Sequence, residues 1–269
     1  MYAVFTDLDG TLLDGSDQWE AARPAIACLN RFRIPWILVS SKTRAEIEYW
    51  RFVLDNRHPF VVENGGCLYI PQRYFPFPIA GTTSINGYEA MEWGTRYPLL
   101  VNGLRQASVA ADCRVRGFAD MTADEVAAEC GLSVPQAARA QQREYDEPFR
   151  ILDAGRTEAL LQALDRGRFH WTRGGRFWHI CGDHDKGSAV RFLASQFRRP
   201  GAECHSLGLG DGWNDLPLLR QTSTAAVIQS PAAAELSASL GGAPIVDGPP
   251  PAAWNQAVIH WLRQTGHLS

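Results

Sequence analysis

Two aspartates separated by one residue lie near the start of the chain, in Asp7-Leu8-Asp9-Gly10-Thr11. At this spacing one carboxylate can attack a phosphorus atom while the other exchanges a proton with the departing oxygen. We therefore predict Asp7 as a nucleophile and Asp9 as a general acid and base. Gly10 would let a phosphate group approach the backbone closely. The alternative is an ordinary turn with a helix cap, because Asp, Gly and Thr are common turn residues.

A second acidic cluster lies in the C-terminal part of the chain, in Gly210-Asp211-Gly212-Trp213-Asn214-Asp215. A phosphate group beside Asp7 is repelled unless a hard cation bridges the two, and Mg²⁺ prefers carboxylate, water and phosphate oxygens. We predict Asp211 as a metal ligand and Asp215 as direct or water-mediated support. Asp7 and Asp9 complete the predicted metal site. Asn214 is predicted to form a hydrogen bond to the substrate phosphate.

A hydroxyl group and an ammonium group complete the predicted phosphate site. Ser40 follows an apolar run and can donate to a phosphoryl oxygen, while Lys186 can neutralise charge on those oxygens in the transition state. Ser41 and Lys42, which follow Ser40, are further candidates for contact with the substrate. Taken singly, a Ser after a strand is ordinarily a turn residue and a Lys at a helix start is ordinarily solvated, and the two acidic motifs favour the functional roles.

The elements that carry these residues predict an α/β fold with a doubly wound parallel sheet. Apolar β-rich runs at residues 2–6, 34–39, 60–62 and 206–209 alternate with helical patterns at 19–32, 43–54 and 186–197. Thr43 and Glu46 form a capping-box sequence at the start of one of these helices. Ligands of such sheets bind at the carboxyl ends of the strands, which is where the acidic motifs lie.

The alternation of strands and helices breaks down in the middle of the chain. Residues 81–180 contain short β-like runs, a Thr-x-x-Glu helix start at Thr122 and an Ala- and Gln-rich helical pattern at 135–144. We predict an inserted α+β domain at 82–180, with the sheet domain formed by 1–81 and 181–269. A final amphipathic helix follows the proline-rich connection at 248–251.

Composition excludes several classes of protein. The chain has 26 Lys and Arg against 29 Asp and Glu, a net charge of -3, which argues against nucleic acid or anionic membranes as partners. Its apolar runs are too short to span a bilayer. The six cysteines show no Cys-x-x-Cys spacing, and the N-terminus lacks a secretory pattern. We expect a cytoplasmic protein, monomeric or homodimeric, with a small-molecule substrate.

The residues described above carry a resemblance to a known superfamily. Residues 7–11, Ser40, Lys186 and 210–215 resemble the four motifs of the haloacid dehalogenase superfamily, and the insertion resembles the α+β cap of its Cof-like (type IIB) sugar phosphatases. More narrowly, residues 39–47, 62–66, 143–149, 174–179 and 208–212 resemble the mannosyl-3-phosphoglycerate phosphatase family. The resemblance implies an Mg²⁺-dependent phosphatase with an aspartyl-phosphate intermediate, which converts mannosyl-3-phosphoglycerate to mannosylglycerate. Trp213 departs from the small residues or Pro usual at its position.

The sugar-glycerate substrate that this resemblance implies needs polar partners in the cap. Glu144, Arg173 and Arg176 are our candidates for substrate contacts, and the polar residues Asp146, Glu147 and His179 lie near them in sequence. The glycerate carboxylate needs a cation, for which Lys42, Arg44 and Arg176 are candidates. The alternative for each is a surface ion pair or a helix cap. Tryptophans could stack on a sugar, although core packing is their commoner role.

Three further functions are compatible with the sequence. The first is another sugar phosphatase, for example one acting on glucosyl-3-phosphoglycerate, and the second is a phosphomutase of the same superfamily. The third is a sensor that binds a phosphorylated ligand without turnover. The sensor would not need the full set of acidic, hydroxyl and ammonium groups described above.

Overall fold

The computed structural model describes residues 1–173, 177–198 and 203–269. Its strands are β1 (Tyr2–Thr6), β2 (Trp36–Val39), β3 (Phe60–Val62), β4 (Cys67–Pro71), β5 (Thr83–Ile85), β6 (Tyr88–Glu92), β7 (Val115–Gly117), β8 (Asp146–Ile151), β9 (His170–Arg173), β10 (Trp178–Cys181), β11 (His205–Gly210), β12 (Thr224–Ile228) and β13 (Ile245–Val246). Its α-helices are α1 (Arg23–Arg31), α2 (Arg44–Val53), α3 (Tyr97–Ala111), α4 (Ala123–Cys130), α5 (Val134–Ala140), α6 (Thr157–Arg166), α7 (Lys186–Phe197), α8 (Leu216–Arg220), α9 (Ala233–Ser239) and α10 (Pro250–Gln264).

The larger sheet has the strand order β13-β12-β11-β1-β2-β3-β4-β6-β5. The strands from β13 to β3 are parallel, and β4, β6 and β5 extend the sheet in antiparallel pairing. Helices cover both faces, and a separate apolar cluster packs on each side. The predicted α/β class with a doubly wound, mainly parallel sheet is therefore confirmed.

The central strands bring the predicted site residues to one edge of this sheet. Strand β1 lies between β11 and β2, and all three run parallel, so that Asp7, Ser40 and Asp211 follow the carboxyl ends of neighbouring strands. Strand β2 and all but the first residue of β1 are buried, as expected for central parallel strands. The indole of buried Trp254 in α10 donates to the hydroxyl of Thr6, 2.9 Å away, and so supports the end of β1.

The smaller sheet is antiparallel, with the order β7-β8-β10-β9. Helices α3 and α6 pack with it around a buried cluster that includes Phe149 and Ile180. The α+β character predicted for the insertion agrees with this arrangement. Strands β5 and β6 lie after the predicted boundary at residue 82, yet they pair with β4 in the larger sheet. The chain segment that forms the smaller sheet therefore begins after Glu92. The division of the chain into two domains remains a prediction.

Local sequence signals predicted several elements well. The runs at 2–6 and 60–62 are strands β1 and β3, and α7 spans the predicted 186–197. Thr43 with Glu46 and Thr122 with Glu125 both form the predicted capping boxes. The helix predicted at 135–144 ends at Ala140, because residues 143–146 enter a buried hydrogen-bonded segment instead. Among the described residues, every helix is too short or too polar to cross a membrane.

Candidate functional site

A buried lysine links two of the predicted carboxylates. The ammonium of Lys186 donates to Oδ1 of Asp7 and to Oδ1 of Asp215, each at 2.6 Å. Lys186 and Asp215 are fully buried, and Asp7 is nearly so. Lys186 begins α7 and Asp215 follows β11, so the contact joins three distant parts of the chain. The structure thus brings together two carboxylates that follow strand ends and a lysine that begins a helix.

This group contains two carboxylates and one ammonium, and the imbalance of charge together with burial shifts the pKa values of Asp7 and Lys186. Burial and the neighbouring Asp215 hold the pKa of Asp7 well above its ordinary value, although Lys186 acts in the opposite direction. Burial by itself would lower the pKa of Lys186, but Asp215 and Asp7 outweigh it and raise that pKa. One ammonium therefore partly neutralises two carboxylates, and the site favours a further cation.

Asp211 is held beside this group by side chains from two other loops. Its Oδ1 accepts from the hydroxyl of Thr11 at 3.0 Å, and its backbone oxygen accepts from the hydroxyl of Ser230 at 2.7 Å. Gly10 has φ +74°, and a Cβ atom there would lie 2.6 Å from Oδ2 of Asp211. Burial and Asp215 raise the pKa of Asp211 to about 6. Glycine at position 10 is therefore required for Asp211 to pack this closely.

The acidic group fits a hard divalent cation. One carboxylate oxygen each from Asp7, Asp211 and Asp215 lies within 4.8 Å of the others. The Oδ1 atoms of Asp7 and Asp211 accept from Lys186 and Thr11, which leaves both Oδ2 atoms for a cation. Both oxygens of Asp215 already accept, from Lys186 and from the backbone N–H groups of Asp211 and Gly212. Asp7 and Asp211 would thus hold Mg²⁺, and Asp215 would orient the loop.

Asp9, predicted both as acid and base and as a metal ligand, lies outside this group of three. Its carboxylate pairs with the ammonium of Lys42 at 3.0 Å, and 51% of its side chain is exposed. Burial opposes the charge on Lys42, but Asp9 and Glu46 outweigh it and raise the Lys42 pKa. The predicted substrate contact Lys42 is therefore paired with Asp9. The half-exposed carboxylate of Asp9 suits proton exchange with a leaving group better than metal binding.

Ser40 lies where the motif predicted it, fully buried at the end of β2. Its hydroxyl oxygen accepts from the backbone N–H of Lys42 at 3.2 Å. Because a hydroxyl group has one proton as well as two lone pairs, this bond leaves the proton for a phosphoryl oxygen.

A cleft of about 550 Å³ opens beside Asp211. It is lined by residues of the smaller sheet and by loops that follow strands of the larger sheet. It contains the predicted contacts Ser41, Asn214 and Arg173, and Trp213 lies on its wall. The sequence analysis predicted no role for Asn64, Thr172 and Ser230, which also line the cleft. Ser230 follows the apolar strand β12, and this position at a strand end is a signal that could have identified it. Asn64 accepts from the Asn214 amide at 3.2 Å.

Glu144, a predicted substrate contact, does not line this cleft. It pairs with Arg44 at 3.0 Å and accepts from the Tyr69 hydroxyl at 2.6 Å, in a separate depression. Arg44, a candidate for the glycerate carboxylate, is thereby occupied by Glu144. Arg176, the remaining predicted contact, lies outside the described residues.

Glu63 joins the two sheets' segments at a buried junction. Its carboxylate accepts from the backbone N–H groups of Glu144 and Tyr145 at 2.8 to 3.2 Å. Glu63 and Asn64 have φ values of 46° and 57°, in the left-handed region. Burial raises the pKa of Glu63 to about 8, with Arg143 acting against it. This junction therefore contains a carboxyl group whose charge is disfavoured in the folded state.

We expect the free energy of unfolding to decrease as the pH rises from about 4.5 to about 8, in part because of Glu63. Its pKa is raised from 4.5 to about 8 on folding, so the folded state binds the proton more tightly than the unfolded state. The resulting stabilisation is complete below 4.5 and is lost as the pH rises through 8. Chemical denaturation across this range should show a shallower slope for Glu63→Gln than for wild type. The exposed Glu235→Gln variant is the control, and equal slopes for wild type and Glu63→Gln would contradict this assignment.

The fold is shared with a solved sugar phosphatase of the haloacid dehalogenase superfamily. A subclass IIB sugar phosphatase of this superfamily aligns over 100% of both chains with a TM-score of 0.65 at 13% identity. A structure from Thermotoga maritima aligns over 97% of both chains with a TM-score of 0.67 at 16% identity. No protein-family model matches the chain. At these identities the structures establish the fold, and closer relatives establish the family.

The chain is 36% identical to a glucosyl-3-phosphoglycerate/mannosyl-3-phosphoglycerate phosphatase of Methanococcoides burtonii, over 99% of both chains. It is 32% identical to a mannosyl-3-phosphoglycerate phosphatase of Pyrococcus horikoshii, over 84% of this chain and 90% of that one. The chain belongs to the mannosyl-3-phosphoglycerate phosphatase family and is a phosphoric monoester hydrolase. The resemblance predicted from the sequence is confirmed.

Proposed function

We propose that this protein hydrolyses mannosyl-3-phosphoglycerate to mannosylglycerate and inorganic phosphate, with Mg²⁺ as its cofactor. The observation that carries the proposal is the group of Asp7, Asp211 and Asp215 around Lys186. Asp211 of this group lines a cleft of about 550 Å³, which is large enough for a glycosylated acid. The choice of mannosyl-3-phosphoglycerate as the substrate rests on the names of the relatives. Bound Mg²⁺ would neutralise the acidic group and the phosphate so that an anionic nucleophile can approach phosphorus.

The proposed first step transfers the phosphoryl group to Asp7. A carboxylate oxygen of Asp7 bonds to phosphorus as the bond from phosphorus to the glycerate oxygen breaks, and Asp9 gives that oxygen its proton. The Ser40 hydroxyl and the Lys186 ammonium stabilise the charge on the phosphoryl oxygens. In the second step Asp9 takes a proton from water, which attacks the aspartyl phosphate and releases phosphate. Asp7 and Asp9 are then restored.

We also propose that the segment of the smaller sheet acts as a cap that covers this site. Helix α5 already contacts the segment of the larger sheet: the Gln136 amide donates to Asp17 at 2.8 Å, and the Thr43 hydroxyl donates to the Arg139 backbone oxygen at 2.9 Å. Closing a cap over the site would exclude bulk water during phosphoryl transfer. The boundaries of this cap follow the hydrogen-bond pattern, from after Glu92 to about residue 181.

Glucosyl-3-phosphoglycerate is the second candidate substrate. Two relatives, from Methanococcoides burtonii and Persephonella marina, carry both substrates in their names, at 36% and 32% identity. Glucose and mannose differ only in the configuration of one hydroxyl group, and a site that contacts this group weakly would accept both. Net release of inorganic phosphate would separate a phosphatase from a phosphomutase and from a non-catalytic sensor.

The test of the proposed function is a phosphate-release assay with and without Mg²⁺. The substrates are mannosyl-3-phosphoglycerate, glucosyl-3-phosphoglycerate, 3-phosphoglycerate and common hexose phosphates. We expect Mg²⁺-dependent release with the highest kcat/KM for one or both glycosyl-3-phosphoglycerates. Preference for a hexose phosphate would overturn the substrate, and tight binding of one ester without any turnover would favour the sensor.

The variant Asp9→Asn tests the role of the second aspartate. The glycerate alkoxide is a poor leaving group and needs the proton, so turnover of the sugar ester should fall by about 10²-fold or more. A p-nitrophenolate leaving group needs no proton, so the first step with p-nitrophenyl phosphate should be much less impaired than the second. Rapid-mixing kinetics should therefore show a burst of p-nitrophenolate followed by slow turnover. Equal losses in both steps would contradict the acid and base role.

A further inference from the structure

One face of the smaller sheet lines the cleft. The register of strands β9 and β10 shows which side chains project from that face. His179 of β10 pairs directly with Thr172 of β9, so both side chains project from the same face. The neighbouring residues Trp178 and Ile180 project from the opposite face and pack in the cluster of α3 and α6. Thr172 and His179 both line the cleft. The sheet thus presents a hydroxyl and an imidazole to the space above Asp211.

A buried carboxylate holds the imidazole of His179 in place. Nδ1 of His179 lies 2.9 Å from Oδ1 of Asp146, which is almost fully buried. Arg143 lies 3.5 Å from the same carboxylate and also donates to the Ser41 backbone oxygen at 3.1 Å. A carboxylate partner keeps a proton on Nδ1 and fixes the ring orientation. Nε2 is therefore the ring atom available to a ligand in the cleft.

Trp213 also lines the cleft, on the loop that carries Asp211. Its residue surface is 49% exposed, whereas Trp36 and Trp254 are fully buried in the core. An indole of this size is usually mostly buried, and its exposure inside a cleft leaves an apolar surface for a ligand. Because Trp213 is two residues beyond Asp211, a ligand on its ring would be adjacent to the phosphate site.

We propose that Trp213 and His179, which both line this cleft, form the subsite for the sugar ring of the substrate. The subsite combines an aromatic surface for the C–H face of a sugar with hydrogen-bonding groups, Nε2 of His179 and the Thr172 hydroxyl, for its hydroxyl groups. The proposal rests on the proposed function, since it assigns the organic part of that substrate. Trp213 and His179 are specificity-determining residues, and Asp146 positions His179.

The test compares a sugar ester with a phosphate compound that has no sugar. We expect Trp213→Ala and His179→Ala to lower kcat/KM for the preferred glycosyl-3-phosphoglycerate by about 10-fold each, mainly through KM. With acetyl phosphate, which cannot reach this subsite, both variants should stay within about 2-fold of wild type. Trp213→Phe keeps an aromatic surface and should recover most of the affinity. The exposed His260→Ala variant is the matched control.

The same assay tests whether Asp146 positions His179. Asp146→Asn can no longer hold a proton on Nδ1 as a carboxylate does, so KM for the sugar ester should rise while kinetics with acetyl phosphate stay unchanged. Equal losses with both substrates would indicate a structural role for Asp146.

Two outcomes would overturn the sugar subsite. One is an unchanged KM for the sugar ester in Trp213→Ala, whose exposed side chain can be removed without disturbing the core. The other is the same proportional loss with acetyl phosphate as with the sugar ester. Failure of the proposed function is distinguishable, because the wild-type protein would then prefer another ester in the phosphate-release assay whatever the variants do.

Discussion

Replacing Asp7 with Asn is expected to lower turnover by at least about 10³-fold, because an amide cannot act as the nucleophile. The fold should persist, since Asn has nearly the same shape and Lys186 keeps its contact with Asp215 at 2.6 Å. Removing one of two carboxylates that share one buried ammonium also relieves repulsion, so the variant should be at least as stable as wild type without metal.

The readout for Asp7→Asn is chemical trapping of the acyl phosphate as well as steady-state phosphate release. Wild-type protein mixed with substrate and quenched with hydroxylamine should yield a hydroxamate at position 7, and the variant should yield none. Asp55→Asn, at an exposed aspartate that pairs with neighbouring Arg57, is the matched control. Turnover by Asp7→Asn near the wild-type rate would rule out Asp7 as the nucleophile.

Replacing Lys186 with Met is expected to remove both activity and much of the stability. The ammonium is fully buried between Asp7 and Asp215, and its loss would leave two buried carboxylates without a positive charge beside them. Breaking a buried ion pair in this way costs about 3–5 kcal/mol. Lowering the pH should restore part of the stability of the variant, because the two carboxylates then bind protons and lose their charge.

Urea denaturation of Lys186→Met at pH 5 and pH 7.5, without metal, measures this effect. The difference in stability from wild type should be larger at pH 7.5. Arg191→Met, at an exposed position on the same helix α7, is the control and should change stability by less than about 0.5 kcal/mol. A variant as stable as wild type at pH 7.5 would show that Lys186 does not hold these carboxylates.

Much of the site was predictable because its residues lie in short motifs at strand ends. Asp7 and Ser40 follow apolar runs that could only be buried strands, and Lys186 begins a helix with a clear apolar face. Parallel strands place their carboxyl ends at one edge, so motifs distant in sequence must converge there. The local signals and the global topology therefore pointed to the same place.

Other predictions concern residues whose partners lie elsewhere in the chain, which local sequence does not show. Asp9, predicted as a metal ligand, pairs with Lys42 and lies outside the group of Asp7, Asp211 and Asp215. Glu144 was predicted at the substrate, but Arg44 and Tyr69 hold it in another depression. Strands β5 and β6 follow the predicted boundary at residue 82 and pair in the larger sheet, and strand periodicity does not reveal which sheet a strand joins.

The sequence by itself determined the fold class, the strand ends that carry the acidic motifs and the family, because periodicity, capping and motifs depend on neighbouring residues. Only the tertiary structure decided which charges meet. The contacts of Lys186 with Asp7 and Asp215, the contact of His179 with Asp146, and the presence of Trp213 and His179 in one cleft all depend on the approach of distant segments. The partner of a side chain in a packed protein depends on the chain topology and on the need to pair buried charges. Neither can be inferred from the local sequence alone.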